Sequence, residues 1–216
     1  MLKIEHITTG YGKKQVLTDV SFDVKKGEII LLTGGNGSGK STVLKCIYGL
    51  LKPWNKNGKI VFEGENITEL CASEMIKRGI VYMPQKKNVF EDLTVEENLL
   101  TSATIYSKRE AKERVEKVYE MMPQLAQMKK RTPFNMSGGE KQLLAFGSAV
   151  IHSPKLILLD EPFAGIDVEV SEIIKKILLN ITKMSCAVLL VEHKKLFFEK
   201  YTSLELKLGH ICISQS

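Results

Sequence analysis

The stretch GGNGSGKS at residues 34–41 constrains the fold of this chain more than any other feature of the sequence. It follows a short apolar run at residues 28–33 and precedes a segment with helical periodicity that extends to about Leu50. Glycines allow successive backbone N–H groups to turn inward, and a helix that begins at Gly39 adds the positive end of its dipole. The sequence therefore predicts a strand, an anion-binding loop and a helix in succession.

Two side chains of this motif carry chemistry that suits a phosphorylated ligand. Lys40 is placed to reach β- and γ-phosphates, and the Ser41 hydroxyl is a ligand for Mg²⁺. The alternative is a structural glycine-rich turn, which the flanking strand and helix patterns disfavour. The nucleotide-binding residues predicted in this motif are Gly34, Gly35, Asn36, Gly37, Ser38, Gly39, Lys40, Ser41 and Thr42.

A second motif, LILLDE at residues 156–161, ends in two adjacent acids. Four consecutive apolar residues are typical of a parallel strand that is buried on both faces. Ligands of such sheets bind beyond the carboxyl ends of the strands. Asp160 is therefore expected to face the Mg²⁺ held by Ser41, and Glu161 to lie where an attacking water must be. A strand that simply meets a solvated loop would give the same pattern, but the phosphate-loop motif upstream favours the metal site.

Strand and helix patterns alternate along most of the chain. Residues 2–9 and 16–24 alternate like half-buried strands. Later runs predict strands at residues 59–62, 80–83, 156–159 and 187–191 and a helix near residues 168–183. Between about residues 86 and 150 the pattern is mostly helical and charged. The expected architecture is a single α/β domain with a parallel core at residues 1–85 and 151–216 and a helical lobe at residues 86–150.

Composition excludes several classes of protein. The net charge is +6, but the lysines are spread along the chain without a block of like charges, so no nucleic-acid partner is expected. Cys46, Cys71, Cys186 and Cys212 lie far apart without a C-x-x-C motif, which argues against a zinc site or a disulfide framework and fits a reducing cytosol.

No signal peptide is visible, and no apolar run approaches the length of a membrane span. If the protein acts at a membrane, another chain must supply the membrane part.

A Ser-Gly-Gly sequence stands at a predicted helix start shortly before the paired acids. Together with the phosphate loop and LILLDEP, it resembles the ATP-binding cassette (ABC) ATPases, whose signature is usually written LSGGQ. The corresponding residues here are Met136, Ser137, Gly138, Gly139 and Glu140. The resemblance covers essentially the whole chain and implies ATP hydrolysis with Mg²⁺ on a RecA-like core, with an N-terminal antiparallel β subdomain and an inserted α-helical subdomain. It also implies a dimer in which the signature residues bind the γ-phosphate of an ATP held by the opposite subunit.

The resemblance assigns roles to further positions. Tyr11 resembles the aromatic residue that stacks on adenine, with Val16 beside it, and Gln85 resembles the glutamine that contacts Mg²⁺ and the attacking water. Asp167 ends a segment similar to the loop that crosses the dimer interface, and His193 resembles the histidine that contacts the γ-phosphate. Without the family, a lone tyrosine or histidine at such positions is typical of packing or of the surface. The implied catalytic residues are Glu161 and His193, and the implied metal ligands are Ser41, Gln85 and Asp160.

A few positions depart from the family pattern. Met136 and Glu140 replace the commonest Leu and Gln of the signature, and Ser148 stands where an Arg is frequent. Because the donors of the signature element are backbone groups, these changes leave it able to bind a phosphate. Hydrolysis is therefore still expected.

The sequence also resembles particular kinds of ABC ATPase. The runs VYMPQKKNVFEDLTVEENL and SGGEKQLLAFGSA look most like the ATPase subunits of branched-chain amino-acid and urea importers, while EPFAGID also resembles the ATPase of lipopolysaccharide export. The resemblance implies a cytoplasmic subunit held at the inner face of the cell membrane by integral-membrane permease subunits, with an identical or a different ATPase partner. Import, export and a soluble role in DNA repair or translation remain alternatives. The transported substrate is not written in such a subunit, because the substrate never contacts it.

Overall fold

The computed structural model describes residues 1–86, 88–192 and 201–213. The strands are β1 Leu2–Tyr11, β2 Lys14–Val24, β3 Ile29–Thr33, β4 Lys59–Phe62, β5 Glu65–Asn66, β6 Ile80–Met83, β7 Leu156–Asp160, β8 Ala187–Val191, β9 Thr202–Lys207 and β10 His210–Ile213. The helices are α1 Lys40–Ile47, α2 Ala72–Lys77, α3 Val95–Ser102, α4 Lys108–Met121, α5 Pro123–Gln127, α6 Gly138–Val150 and α7 Val168–Lys183, with a 3-10 helix at Pro133–Asn135. Among the helices of these ranges, none is long and apolar enough to cross a membrane.

The smaller of two sheets is antiparallel and has the strand order β2-β1-β4-β5. Leu2, Ile4 and Ile7 of β1 are buried and the residues between them are more exposed, but a register shift between Ile4 and Ile7 interrupts the strict alternation that the sequence predicted. The structure therefore confirms the two N-terminal strands, and it begins β2 two residues earlier than expected, at Lys14.

The larger sheet has the order β10-β9-β3-β8-β7-β6. Strands β6, β7, β8, β3 and β9 are parallel, but β10 runs antiparallel to β9. The core that the sequence predicted as parallel thus carries one antiparallel strand at this edge. The physical reason is the connection: Lys207 pairs with His210, and so short a link between strands can join only antiparallel neighbours.

Both faces of the larger sheet are buried. Ile29 and Leu31 of β3 belong to a core shared with the helices α3, α4, α6 and α7, whereas Ile30 and Leu32 belong to a core shared with β1, β2 and α1. All residues of β7 and β8 are buried in the same way. Burial of this apolar surface holds the carboxyl ends of β3 and β7 at one edge of the sheet, where the two chemical motifs of the sequence lie.

Helices α3 to α6 occupy the part of the chain where a helical lobe was predicted. In α4, Ala111, Val115 and Val118 form the buried face, and the Ser107 hydroxyl caps the helix by accepting a 3.2 Å hydrogen bond from the Glu110 amide. Pro123 at the first position of α5 interrupts the helical run. The charged pattern of α4 is thus the solvated face of an amphipathic helix.

Candidate nucleotide-binding site

The phosphate loop connects β3 to α1 at the carboxyl edge of the larger sheet. Gly39 has a φ of 104°, and a Cβ at this position would lie 2.6 Å from the Leu17 side chain, so only glycine fits. Helix α1 therefore begins at Lys40, one residue later than predicted, because Gly39 is the left-handed residue that turns the chain into the helix.

Lys40 folds back across this loop. Its ammonium group donates hydrogen bonds to the carbonyl oxygens of Gly34, at 2.8 Å, and Gly35, at 3.0 Å. Burial lowers the pKa of Lys40, while the nearby charges of Glu161 and Asp160 oppose that shift. The cation is therefore held inside the loop by weak neutral acceptors, and a phosphate would be a stronger partner for it.

The predicted metal ligands Ser41 and Asp160 are in contact. The Ser41 hydroxyl donates a 2.8 Å hydrogen bond to Oδ1 of Asp160, and the Tyr82 hydroxyl donates a 3.2 Å hydrogen bond to Oδ2. Asp160 is only 6% exposed, and this burial raises its pKa, although the two hydrogen bonds act in the opposite direction. Sequence analysis missed Tyr82; its signal was a single polar-tipped residue in the apolar run IVYM, on the strand beside β7.

Glu161 follows the buried acid at a sharp turn. Its φ is 52°, a conformation that costs roughly 1–2 kcal/mol for a residue with a side chain. Its carboxylate accepts a hydrogen bond from the Nε2 group of Gln85, and it lines the same cavity as Lys40 and Ser41. Because Nε2 is a donor, the remaining amide oxygen of Gln85 is the atom that could coordinate Mg²⁺.

A cavity of about 520 Å³ opens above the phosphate loop. Its lining residues are Tyr11, Lys14, Gln15, Val16, Asn36, Gly37, Gly39, Lys40, Ser41, Thr42, Glu161, Leu208 and Gly209. Tyr11 is thus on the same cavity as the loop, and its hydroxyl lies 3.4 Å from Thr42 Oγ1 and 3.5 Å from Lys45 Nζ. The Lys45 ammonium is also 5.7 Å from the Tyr11 ring centre, which gives the ring a cationic neighbour.

The cavity includes residues that sequence analysis did not select. Leu208 and Gly209 reach it from the turn between β9 and β10, because the Thr18 amide of β2 donates a 2.9 Å hydrogen bond to the Gly209 carbonyl. Lys14 and Gln15 reach it from the start of β2. No local sequence signal marks these residues, since only strand pairing brings them to the loop.

The donor set fits a nucleotide with Mg²⁺. Ser38 Oγ is buried and has no hydrogen-bond partner among the described residues, so it is available to a phosphate oxygen. Ser41 and Asp160 carry hard oxygen donors of the kind that Mg²⁺ uses together with phosphate and water. Across the described ranges, no group of three or more His, Cys, Asp or Glu side chains could hold a metal by itself.

Two signature residues, Ser137 and Glu140, line a second cavity of about 420 Å³. Ser137 caps α6: its hydroxyl accepts a 3.2 Å hydrogen bond from the Glu140 amide, and the Glu140 carboxylate accepts a 2.7 Å hydrogen bond from the Ser137 amide. Hydrogen bonding to that amide, with the Arg131 guanidinium 3.1 Å away, holds the pKa of Glu140 low. A Cβ on Gly139 would lie 3.0 Å from Asp167 Oδ2. The glycine therefore allows the start of α7 to pack close to the start of α6.

The two cavities have no lining residue in common. Ser137, Glu140 and Asp167 line the second cavity and not the one above their own phosphate loop. Within its own chain Asp167 is a helix cap, since its carboxylate accepts a 2.9 Å hydrogen bond from the Val170 amide. The structure thus brings Lys40, Ser41, Asp160, Glu161, Gln85, Tyr11 and Val16 together and leaves the signature apart. His193 lies outside the described residues.

The larger sheet is mixed, and its phosphate loop lies at the carboxyl ends of the strands, beside a Ser–Asp pair. This combination defines the class of phosphate-loop ATPases. The sequence profile of the ABC transporter family matches residues 17–164, and the chain belongs to that family. It is an ATP-binding, ATP-hydrolysing cassette, and this confirms the α/β fold and the activity that the sequence predicted.

Named relatives agree with this assignment. The high-affinity branched-chain amino acid transport ATP-binding protein BraG of Pseudomonas aeruginosa is 40% identical over 192 residues, which cover 89% of this chain and 82% of BraG. The lipopolysaccharide export system ATP-binding protein LptB of Haemophilus influenzae is 36% identical over 196 residues, covering 89% of this chain and 80% of LptB. Among solved structures, the dimeric post-hydrolysis state of the cassette MJ0796 bound to ADP and Pi superposes with a TM-score of 0.84 at 27% identity, covering 98% of this chain and 96% of that one.

Proposed function

We propose that this chain is the motor subunit of a membrane transporter, in which ATP closes two ATPase subunits against each other and so drives a separate permease. The observation that carries the proposal is the separation of the nucleotide cavity from the cavity at Ser137. An ATP in the first cavity meets signature residues only if a second ATPase subunit, identical or different, supplies them. The cassette MJ0796 is dimeric in its post-hydrolysis state with ADP and Pi, which supports a dimer for this chain.

Each residue of the site has a role in this proposal. The loop amides, Ser38 and Lys40 bind the phosphates, and Tyr11 stacks on the base. Mg²⁺, held by Ser41, Asp160 and the amide oxygen of Gln85, would supply positive charge for the β- and γ-phosphates.

Glu161 orients the attacking water and accepts its proton, with His193 at the γ-phosphate. The hydrogen bond from Gln85 holds the Glu161 carboxylate, so water activation responds to any movement of the Gln85 segment. Hydrolysis removes the γ-phosphate that both subunits contact, and the dimer can then open. ATP binding and hydrolysis thereby switch the two subunits between a closed and an open state.

The permease contact is proposed on the face near residues 85–94, where the proposed core at residues 1–85 meets the proposed helical subdomain at residues 86–150, and its described part is residues 88–94. Phe90 is 57% exposed on this segment, although its backbone is held firmly. Its amide donates a 2.7 Å hydrogen bond to the Asn98 side chain, which in turn donates to the carbonyl oxygens of Phe90, at 3.0 Å, and Leu93, at 2.9 Å. A rigid backbone that carries an exposed aromatic side chain is a suitable contact surface for a cytoplasmic helix of a permease.

The proposed cargo is a branched-chain amino acid, carried inward, because BraG is more similar to this chain than LptB is. The similarity to LptB keeps export as the second candidate. Uptake of labelled leucine by cells that lack this gene distinguishes the two. Restoration by the wild-type chain, but not by the Lys40→Ala variant, supports import, whereas leucine uptake that does not depend on the gene contradicts it.

The Glu161→Gln variant tests the shared site. The amide keeps the shape of the side chain but cannot accept a proton, so turnover should fall by roughly two to four orders of magnitude while ATP still binds. The neutral residue also no longer repels the γ-phosphate, so a dimer should accumulate with ATP and Mg²⁺ on size exclusion. Glu116→Gln, at an exposed position of α4, is the charge-matched control and should behave like the wild type. Wild-type turnover in Glu161→Gln, or a variant that binds ATP and stays monomeric, contradicts the proposal.

A further inference from the structure

We propose that Leu208 forms an apolar wall of the nucleotide-base cleft and contributes to the selection of a nucleotide over simple phosphates. This inference rests on the proposed nucleotide site. The proposed base contacts of Tyr11 and Val16 come from the smaller sheet. The turn between β9 and β10, in the larger sheet, provides a further contact to the base.

The first observation is the backbone of that turn. Lys207 pairs with His210, and the residues between them, Leu208 and Gly209, have φ values of 48° and 83°. Positive φ at both central positions is the requirement of a type I′ turn, which favours Asn, Asp or Gly. A leucine at the first of these positions is disfavoured, because its branched side chain crowds a left-handed backbone.

The second observation is that folding does not use this side chain. Leu208 is 93% exposed, the highest exposed fraction among the large apolar side chains of the described residues. A single exposed leucine is ordinary, but an exposed leucine at a position that disfavours leucine gains nothing from the fold. Leu208 lines the cavity above the phosphate loop together with Tyr11 and Val16.

The third observation is that the turn is fixed in place. The Thr18 amide donates a 2.9 Å hydrogen bond to the Gly209 carbonyl, and a Cβ on Gly209 would lie only 2.3 Å from the Val16 carbonyl. The turn therefore packs directly against β2, next to a residue of the proposed base site. Because paired strands hold Leu208 at the cleft, its side chain can bury apolar surface of the base when a nucleotide binds. The turn is already ordered, so binding does not have to pay the entropy of ordering it.

The test is the Leu208→Asn variant, which installs a residue that the turn favours and removes the apolar contact. ADP affinity, measured by isothermal titration calorimetry, should weaken by about three- to tenfold, while the affinity for inorganic pyrophosphate stays at the wild-type value. The Tm of the unliganded variant should be equal to or above that of the wild type, which separates a base contact from a structural role. Leu208→Met keeps an apolar side chain and should retain ADP affinity.

Met184→Asn is the matched control, because Met184 is also highly exposed, at 82%, and does not line this cavity. Its ADP affinity should equal that of the wild type. Unchanged ADP affinity in Leu208→Asn overturns the inference and leaves the nucleotide site intact. An equal loss of ADP and pyrophosphate affinity also overturns it, since the effect would then lie at the phosphates. A wild-type chain that binds neither ligand would overturn the nucleotide site and this inference with it.

Discussion

The Ser41 hydroxyl donates a 2.8 Å hydrogen bond to the Asp160 carboxylate, although 119 positions separate the two residues. Ser41 lies in the first turn of α1, and Asp160 ends β7, a strand that is not adjacent to β3 in the sheet. The contact therefore spans β8 and depends on the packing of the helix over the sheet. The two proposed Mg²⁺ ligands are already held together by the fold, so little conformational entropy would remain to be lost if the ion binds there.

Replacing Asp160 with Asn should separate stability from metal binding. Burial raises the pKa of Asp160, which means that the fold disfavours the ionised carboxylate, and a neutral amide removes this cost. The variant should have an equal or higher Tm in EDTA but lose most of the extra Tm that ATP with Mg²⁺ gives the wild type. Tyr82→Phe, which removes only the 3.2 Å hydrogen bond to Asp160, is the control and should keep that increment. An undiminished increment in Asp160→Asn would remove Asp160 from the metal site.

Replacing Lys40 with Ala should weaken nucleotide binding and hydrolysis together. The ammonium group is the cation held inside the phosphate loop, and a charge-assisted hydrogen bond to phosphate contributes about 1.5–3 kcal/mol, or roughly 10- to 100-fold in affinity. Fluorescent-ATP titration and a phosphate-release assay measure the two effects. Lys112→Ala, an exposed position of α4, removes the same charge elsewhere and should change neither. Normal turnover in Lys40→Ala would show that the phosphates bind elsewhere.

Replacing Ser137 with Arg should abolish ATP-dependent dimerisation while nucleotide binding to the monomer persists. Arginine removes the cap of α6, at a cost of about 1 kcal/mol, and places a bulky cation where the partner's γ-phosphate is proposed to dock. Analytical ultracentrifugation with ATP, in the Glu161→Gln background, measures the dimer.

Ser107→Arg provides the control for this experiment. Ser107 caps α4 through the same 3.2 Å hydrogen bond to a glutamate amide, so the variant loses comparable stability away from the proposed interface. It should still form the dimer. If Ser137→Arg also dimerises normally, the shared-site arrangement is wrong.

Replacing His152 with Gln should make stability less dependent on pH. Burial lowers the pKa of His152 to about 4, and the Arg114 guanidinium acts in the same direction, while the Tyr106 hydroxyl lies 3.2 Å from Nδ1. The unfolded chain therefore binds more protons than the folded one between pH 6.5 and about 4. Wild-type stability should fall as the pH decreases through this window.

Urea unfolding of the wild type and of His152→Gln, each at pH 7 and at about pH 5, measures the effect. Acids elsewhere titrate in both proteins, so their contribution cancels when the two losses of stability are compared. The wild type should lose more stability than His152→Gln between the two conditions. Equal losses would show that the ring is protonated freely in the fold.

Much of the fold was predictable because its signals are local. The bounds of β4, β6, α7 and β8 agree with the sequence, since each is a run of apolar periodicity that ends at turn or polar residues. The antiparallel edge was not predictable in the same way. It depends on the turn at Leu208 and Gly209, and leucine is not a residue that signals a type I′ turn.

The sequence by itself determined the chemistry of the phosphate loop, because backbone amides, Lys40 and Ser41 all act within eight consecutive residues. It also determined the family, through motifs whose spacing is readable along the chain. Only the tertiary structure decided that Tyr82 is hydrogen-bonded to Asp160, that Leu208 lines the cavity above the phosphate loop, and that Ser137 lines a separate cavity. These relations join residues far apart in the chain, and they are set by strand order and by the burial of both faces of one sheet, which no local run of residues encodes.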